Sequence, residues 1–234
     1  MRLLAALVLV LGTPVAFAAN QVRHIQVHVE PYYRAGETRE ERPRVSVGNQ
    51  LNERLASNNR ADVAQARDLV RAAPATVTPV ALMVLAVRLY DVGLRDEAVF
   101  WFNVAKDRLD TLTAVLDVQD KDLQRIDRAT RTFILRAGPV INGYAFCDPA
   151  RQQRLRAEAL AWVEANPYQT LFLEQMPARP GDRRANLERA LATLREDVRA
   201  EAAYLGQPAN LAKIAAGRVE SEADAKYCWA SRQP

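Results

Sequence analysis

The pattern of apolar and polar positions changes character twice along the chain. Leu3 to Leu11 is an unbroken apolar run behind Arg2. Gly12, Thr13 and Pro14 break it, and Ala16, Phe17 and Ala18 follow. A short apolar stretch after a positive residue, closed by an A-x-A site, reads as a secretory signal peptide over residues 1–18, with cleavage expected after Ala18. A membrane anchor needs about 20 apolar residues, and the break comes too early for one. Residues 22–29 then alternate, with Ile25, Val27 and Val29 on one side and His24, Gln26 and His28 on the other. That alternation predicts a half-buried strand. Arg44 to Val47 is a second short candidate, and the charge-dense Gly36 to Pro43 connects the two. Residues 19–48 therefore read as a small β-hairpin or an extended arm.

From Asn49 the period becomes helical, so residues 49–234 read as a helical domain. Asn58 or Asn59 caps a helix through Ala73 with Val63, Ala66, Leu69 and Val70 on one face, and Pro74 ends it. Thr78 and Pro79 place an N-cap before a proline at the first helical position, opening a helix to Val92 that Gly93 stops. The next helix runs from Leu94 to Leu112 or beyond, and another from Asp120 to Ala137, ending at Gly138 and Pro139. Asp148 and Pro149 repeat the cap-plus-proline signal for a helix ending at Asn166 and Pro167. Asp182 caps a long helix to about Leu205, closed by Gly206, and a last helix lies between Pro208 and Lys226. These elements predict a mainly α fold, a multi-helix bundle or short α-solenoid with a minor β element. In the helix after Gly93, Leu94, Ala98, Trp101, Phe102, Ala105, Leu109 and Leu112 share one face, while Phe100 and Val104 lie roughly opposite. A helix with two apolar stripes is expected to pack on two sides.

Composition narrows the classes. Hydrophobic residues make up 49% of the 234, which excludes a disordered chain. Lys plus Arg is 32 and Asp plus Glu is 28, a net charge of +4, and all but four of the cations are Arg. Cations and acids are interspersed rather than gathered on one face, so nucleic acid is not an expected partner. After signal cleavage no membrane insertion is expected either, because no later stretch is long and apolar enough to span a bilayer. Two cysteines, Cys147 and Cys228, are an even count in an exported chain and are expected to form a disulfide in the periplasm. Closing a loop of 81 positions is worth about 4 kcal/mol in the chain-entropy model. A catalytic thiol would need a histidine base nearby, and His24 and His28 sit far upstream. On a strand those two histidines are roughly 13 Å apart, too far for one metal ion, and both are expected to face solvent.

Residues 81–106 carry Ala81, Leu85, Ala86, Leu89, Tyr90, Gly93, Asp96, Glu97, Ala98, Phe100, Trp101, Phe102, Ala105 and Lys106. This segment resembles one Sel1-like or tetratricopeptide-type helical hairpin, in which small residues let two helices approach and a glycine makes the turn. Ala157 to Trp162 echoes its second half. The resemblance covers one repeat, and a self-standing array needs about three, so a bundle built around one hairpin is expected. The resemblance implies a scaffold for protein interactions. Exported Sel1-like proteins of Gram-negative bacteria include immunity proteins that neutralise antibacterial effectors.

Two longer loops break the helical rhythm, Gly138 to Pro149 and Pro167 to Asp182. Both carry aromatics, prolines and apolar neighbours, the composition that protein interfaces favour. Tyr144, Phe146, Tyr168, Phe172, Arg179 and Arg183 are the expected partner-binding residues. The alternative is that the aromatics cover the bundle end, and that Arg183 pairs with Asp182, Glu174 or Glu188. No catalytic residue, cofactor or metal is expected: the chain lacks a glycine-rich phosphate loop, H-E-x-x-H and G-x-S-x-G. Adjacent carboxylates such as Asp96 and Glu97 point away from each other on a helix. The expected function is an exported protein-binding protein, in its sharpest form a periplasmic immunity protein for a secreted effector enzyme. A structural scaffold of an envelope complex, and a hydrolase whose carboxylates only the fold brings together, are the alternatives.

Overall fold

A computed structural model describes residues 21–229. The expected signal peptide, residues 1–18, and the last five residues lie outside the described residues. Among the described residues, three two-residue strands precede nine α-helices. The strands are β1 (His28–Val29), β2 (Tyr33–Arg34) and β3 (Arg44–Val45). The helices are α1 (Asn49–Ala56), α2 (Arg60–Ala72), α3 (Pro79–Asp91), α4 (Arg95–Val115), α5 (Lys121–Ala145), α6 (Pro149–Ala165), α7 (Arg183–Leu205), α8 (Pro208–Glu220) and α9 (Ala223–Tyr227). No helix among the described residues is long and apolar enough to cross a membrane.

Five helices begin where a short polar side chain takes up an orphan backbone N–H. Asn59 accepts from the amide of Ala61, Thr78 from Ala81, Asp120 from Asp122 and Leu123, Asp148 from Arg151 and Asp182 from Ala185. Every residue of α3 is buried, including the ion-paired Arg88 and Asp91 among its otherwise mostly apolar positions. Helix α4 folds back on it across Val92–Leu94 and also packs against α5, α6 and α7. Both of its apolar stripes are covered: Trp101 and Phe102 are buried, Val104 opposite is buried, and Phe100 is half-buried. The molecule is thus a bundle around a central hairpin. In a solenoid each repeat would touch only its neighbours.

The N-terminal arm forms a three-stranded antiparallel sheet in the order β1-β2-β3, with His28 opposite Arg34 and Tyr33 opposite Val45. The expected inward residues Ile25, Val27 and Val29 are buried and join the same core as the helices. The middle strand at Tyr33–Arg34 was not expected. With two residues per strand, hydrogen bonding covers less than the alternation does.

The end of α5 departs from expectation. Helix α5 does not stop at Gly138 and Pro139 but continues to Ala145, with Pro139 inside it. Pro139 lacks the N–H that would bond the carbonyl of Leu135, a loss of about 3 kcal/mol in a helix interior. Both residues are exposed, so water can serve that carbonyl. On the opposite face Ala137, Ile141 and Ala145 are fully buried, and that packing carries the helix through. Gly138 faces α4: a Cβ on it would stand 3.4 Å from Phe102 Cζ, in ordinary contact. Most of the expected loop 138–149 is therefore helix.

Candidate functional site

The C-terminal end of the bundle is tied down from several directions. Cys147, just after α5, is bonded to Cys228, just after α9, with their Cα atoms 5.5 Å apart. Arg218 of α8 donates to the carbonyl of Gly143 at 3.1 Å and to Asp224 at 2.8 Å, and its guanidinium also touches both sulfurs. Arg95 lies between the rings of Tyr144 and Trp229, 4.3 and 3.9 Å from their centroids, and donates to the carbonyls of Tyr227 and Trp229. Tyr227 sits so close to α5 that a Cβ on Gly143 would fall 2.5 Å from its ring, which only glycine allows. The amide of Val22 donates to the carbonyl of Lys226, joining the N-terminal arm to this tail.

Behind the tail lies an open groove of about 640 Å³ between α5, α7, α8 and α9. Phe146, Tyr204, Leu205, Ile214 and Tyr227 give it an apolar lining. Helix α8 contributes no buried residue to the protein, and Tyr204 is 49% exposed. A second, more enclosed cavity of about 180 Å³ lies under the 167–172 segment and the first turns of α7.

The six expected partner-binding residues fall into different surroundings. Phe146 is half-buried and lines the groove. Phe172 is half-buried and lines the smaller cavity. Arg179 is exposed, with its backbone amide held by the carbonyl of Val115 at 3.0 Å. Two of the six are buried and a third is held by internal hydrogen bonds. Tyr144 is buried between Arg95 and Arg151, with its hydroxyl donating to Asp96 at 2.6 Å. Tyr168 is 5% exposed and packs on Arg108. Arg183 is engaged internally, donating to the carbonyls of Leu171, Leu173 and Met176, so it fixes the 167–182 loop and pairs with no carboxylate there. Residue type drew attention to these three, but they hold the loops in place. Tyr204, at the end of the expected long helix, and Ile214, on the expected last helix, were missed because neither helix carried an assigned face.

His24 departs from its expected solvent-facing position, whereas His28 is exposed. The His24 imidazole stands 3.3 Å from Asp91 Oδ2 through Nδ1 and 3.0 Å from the carbonyl of Gly36 through Nε2. Two acceptors facing two ring nitrogens favour the doubly protonated form. The hydrogen bond to Asp91 raises its pKa above 6.5, against burial and the repulsion of Arg88. A raised folded-state pKa stabilises the protein below the unfolded value and loses that contribution as pH rises through the folded one. Wild-type protein is therefore expected to lose unfolding free energy from pH 6.5 upward more than His24→Gln does. Parallel denaturant titrations from pH 5.5 to 8.5 measure the difference, and parallel curves would refute it.

The fold brings some carboxylates together, but not as a free pair. Asp107 is buried and receives both Nη groups of Arg156, at 2.6 and 2.9 Å. Asp110, one turn on, is exposed. Neither lines the groove or the smaller cavity. Among the described residues no group of three His, Cys, Asp or Glu side chains converges as a metal site.

No known family's sequence profile matches the chain, and no solved structure matches it. A protein of Haemophilus influenzae named "Uncharacterized protein" is 32% identical over 214 residues, covering 92% of this chain and 82% of its own length. At that identity and coverage the chain belongs to the family of this Haemophilus influenzae protein.

Proposed function

We propose that this is an exported protein-binding protein, and that its partner lays an amphipathic helix into the groove between α5, α7 and α8. The groove itself carries the reading: an apolar trough of about 640 Å³ walled by helices and left open to solvent. Covering apolar surface gains about 25 cal/mol per Å². A helical trough favours a helix as occupant, whereas strands of two residues are too short to template an added strand. The disulfide supports export, since such bonds persist in oxidising compartments. In its sharpest form the partner is a secreted effector enzyme and the site of action is the periplasm. The contact then centres on Phe146 and Tyr204, because Tyr144 and Tyr168 are inside the protein.

A photo-cross-linking residue placed in the full chain at Tyr204 or Ile214 tests the reading in the native periplasm. Leu135, exposed and outside the groove, serves as the control position. Cross-links from both groove positions to one helical segment of one protein, absent from Leu135, are the expected result. Capture of several envelope proteins would favour a scaffold. Cross-links from Leu135 alone, or from none of the three, would overturn the groove as the binding face.

A further inference from the structure

The smaller cavity borders a buried cation that has no carboxylate. Arg108 is 1% exposed on α4. It donates to three main-chain carbonyls: Pro74 at 2.7 Å, Val77 at 3.0 Å and Asn166 at 2.8 Å. The rings of Trp162 and Tyr168 lie 5.0 and 5.3 Å from its guanidinium carbon. Two other buried arginines each have a carboxylate, Asp91 for Arg88 and Asp107 for Arg156. Among the described residues none pairs with Arg108. Carbonyl dipoles satisfy N–H groups but do not cancel a full charge, and an unneutralised buried cation is costly. Burial accordingly pushes the Arg108 guanidinium down to about 10. A guanidinium has five N–H donors, so three carbonyl bonds leave it able to donate further.

The cavity beside it is built for a small amphipathic molecule. Val163, Leu171, Leu187 and Leu191 form apolar walls, and Thr111 also lines the space, its hydroxyl donating to the carbonyl of Arg108 at 3.0 Å. Arg184, exposed and 5.1 Å over the ring of Phe172, brings a second cation. Two acids also line the space: Glu164 is held by Arg195, and Glu188 is exposed. At about 180 Å³ the space falls below the size of drug-sized ligand pockets, roughly 300–1,000 Å³. We propose that this cavity binds a small organic carboxylate, its charged end toward Arg108 and Arg184 and its apolar body against Leu171 and Leu187. The site is separate from the groove and does not depend on the protein-binding reading.

Isothermal titration of the full, disulfide-bonded protein with 4-methylpentanoate, and with the matched neutral 4-methylpentanamide at equal ionic strength, tests this. Saturable binding of the acid is expected, with the amide weaker by about tenfold or more, the scale of a lost charge-assisted hydrogen bond. Leu187→Trp fills the cavity and should abolish binding. Arg184→Gln changes an exposed residue, leaves the fold intact and should weaken the acid but not the amide. That variant keeps the test decisive if Leu187→Trp fails to fold. Equal binding of acid and amide, an unaffected Arg184→Gln, or no saturation with carboxylates from acetate to benzoate would overturn the proposal.

Discussion

Asp91→Ala is expected to lower the unfolding free energy by about 3–5 kcal/mol, the scale of removing one member of a buried ion pair. Asp91 is 2% exposed at the end of α3, and Arg88, one turn earlier, is 1% exposed. The Arg88 guanidinium meets Asp91 at 2.7 Å and also donates to the carbonyls of Leu55 and Ser57 and to the Asn58 side chain. Removing the carboxylate leaves that cation in place, because its other partners keep it inside. Asp91 also accepts from the backbone amide of Ile25 at 2.9 Å and faces His24. A single carboxylate thus anchors the N-terminal arm to the central hairpin. Asp91→Asn separates the two roles, since it keeps an acceptor for Ile25 but gives up the charge. Its loss should be smaller, and in both variants the pH dependence assigned to His24 should vanish. Urea unfolding at pH 7, with hydrogen exchange of the Ile25 amide, measures both. A loss under about 1 kcal/mol for the alanine variant would mean that the pair is not the anchor described.

This network explains a compositional feature whose meaning differs from its first appearance. The predominance of Arg over Lys makes the chain basic, yet among the described residues Arg88, Arg95, Arg108 and Arg156 are buried. Each of these four ties together segments distant in sequence, and all but Arg156 do so by donating to backbone carbonyls. A planar fork with five donors can do that, and a lysine ammonium cannot hold the same geometry. These buried cations serve as internal fasteners, while most of the other described arginines are exposed.

Much of the helical architecture was legible because its signals are local. The caps at Asn59, Thr78, Asp148 and Asp182 each depend on two or three neighbouring residues, and each starts a helix where expected. Gly138 and Pro139 misled for the complementary reason. Their breaking tendency is local, while the packing of Ala137, Ile141 and Ala145 that overrides it is tertiary. The candidate site was less legible. An interface tyrosine and a core tyrosine both have apolar neighbours, so Tyr144 and Tyr168 gave no sign of facing inward. Arg108 did leave a signal: seven residues after Trp101 it falls beside the face of Trp101, Leu94 and Leu112, and a charged residue at the edge of an apolar stripe marks a buried charge. The link between His24 and Asp91 left none, because it joins segments far apart in the chain.

Removing the disulfide by Cys147→Ser with Cys228→Ser is expected to cost about 4 kcal/mol and to lower the melting temperature by about 10 °C. The argument concerns the unfolded chain. The bond closes a loop of 81 positions and so denies the unfolded state many of its conformations. The folded state should change little, because Arg95, Arg218 and the Tyr227 ring against Gly143 also hold the tail. This makes the effect distinguishable from that of Asp91→Ala, which acts on the folded core. Without the crosslink the unfolded chain expands, so the denaturant slope should rise as the midpoint falls. For Asp91→Ala the midpoint should fall with the slope unchanged. Wild-type protein under reducing conditions should behave like the double serine variant. Because Tyr227 and Ala223 line the groove, the crosslink also stiffens one of its walls, and partner cross-linking through Tyr204 should weaken on reduction before the protein unfolds. Coincident unfolding curves for the oxidised and reduced protein would show that the tail is held by its packing alone, and the groove would then be indifferent to redox state.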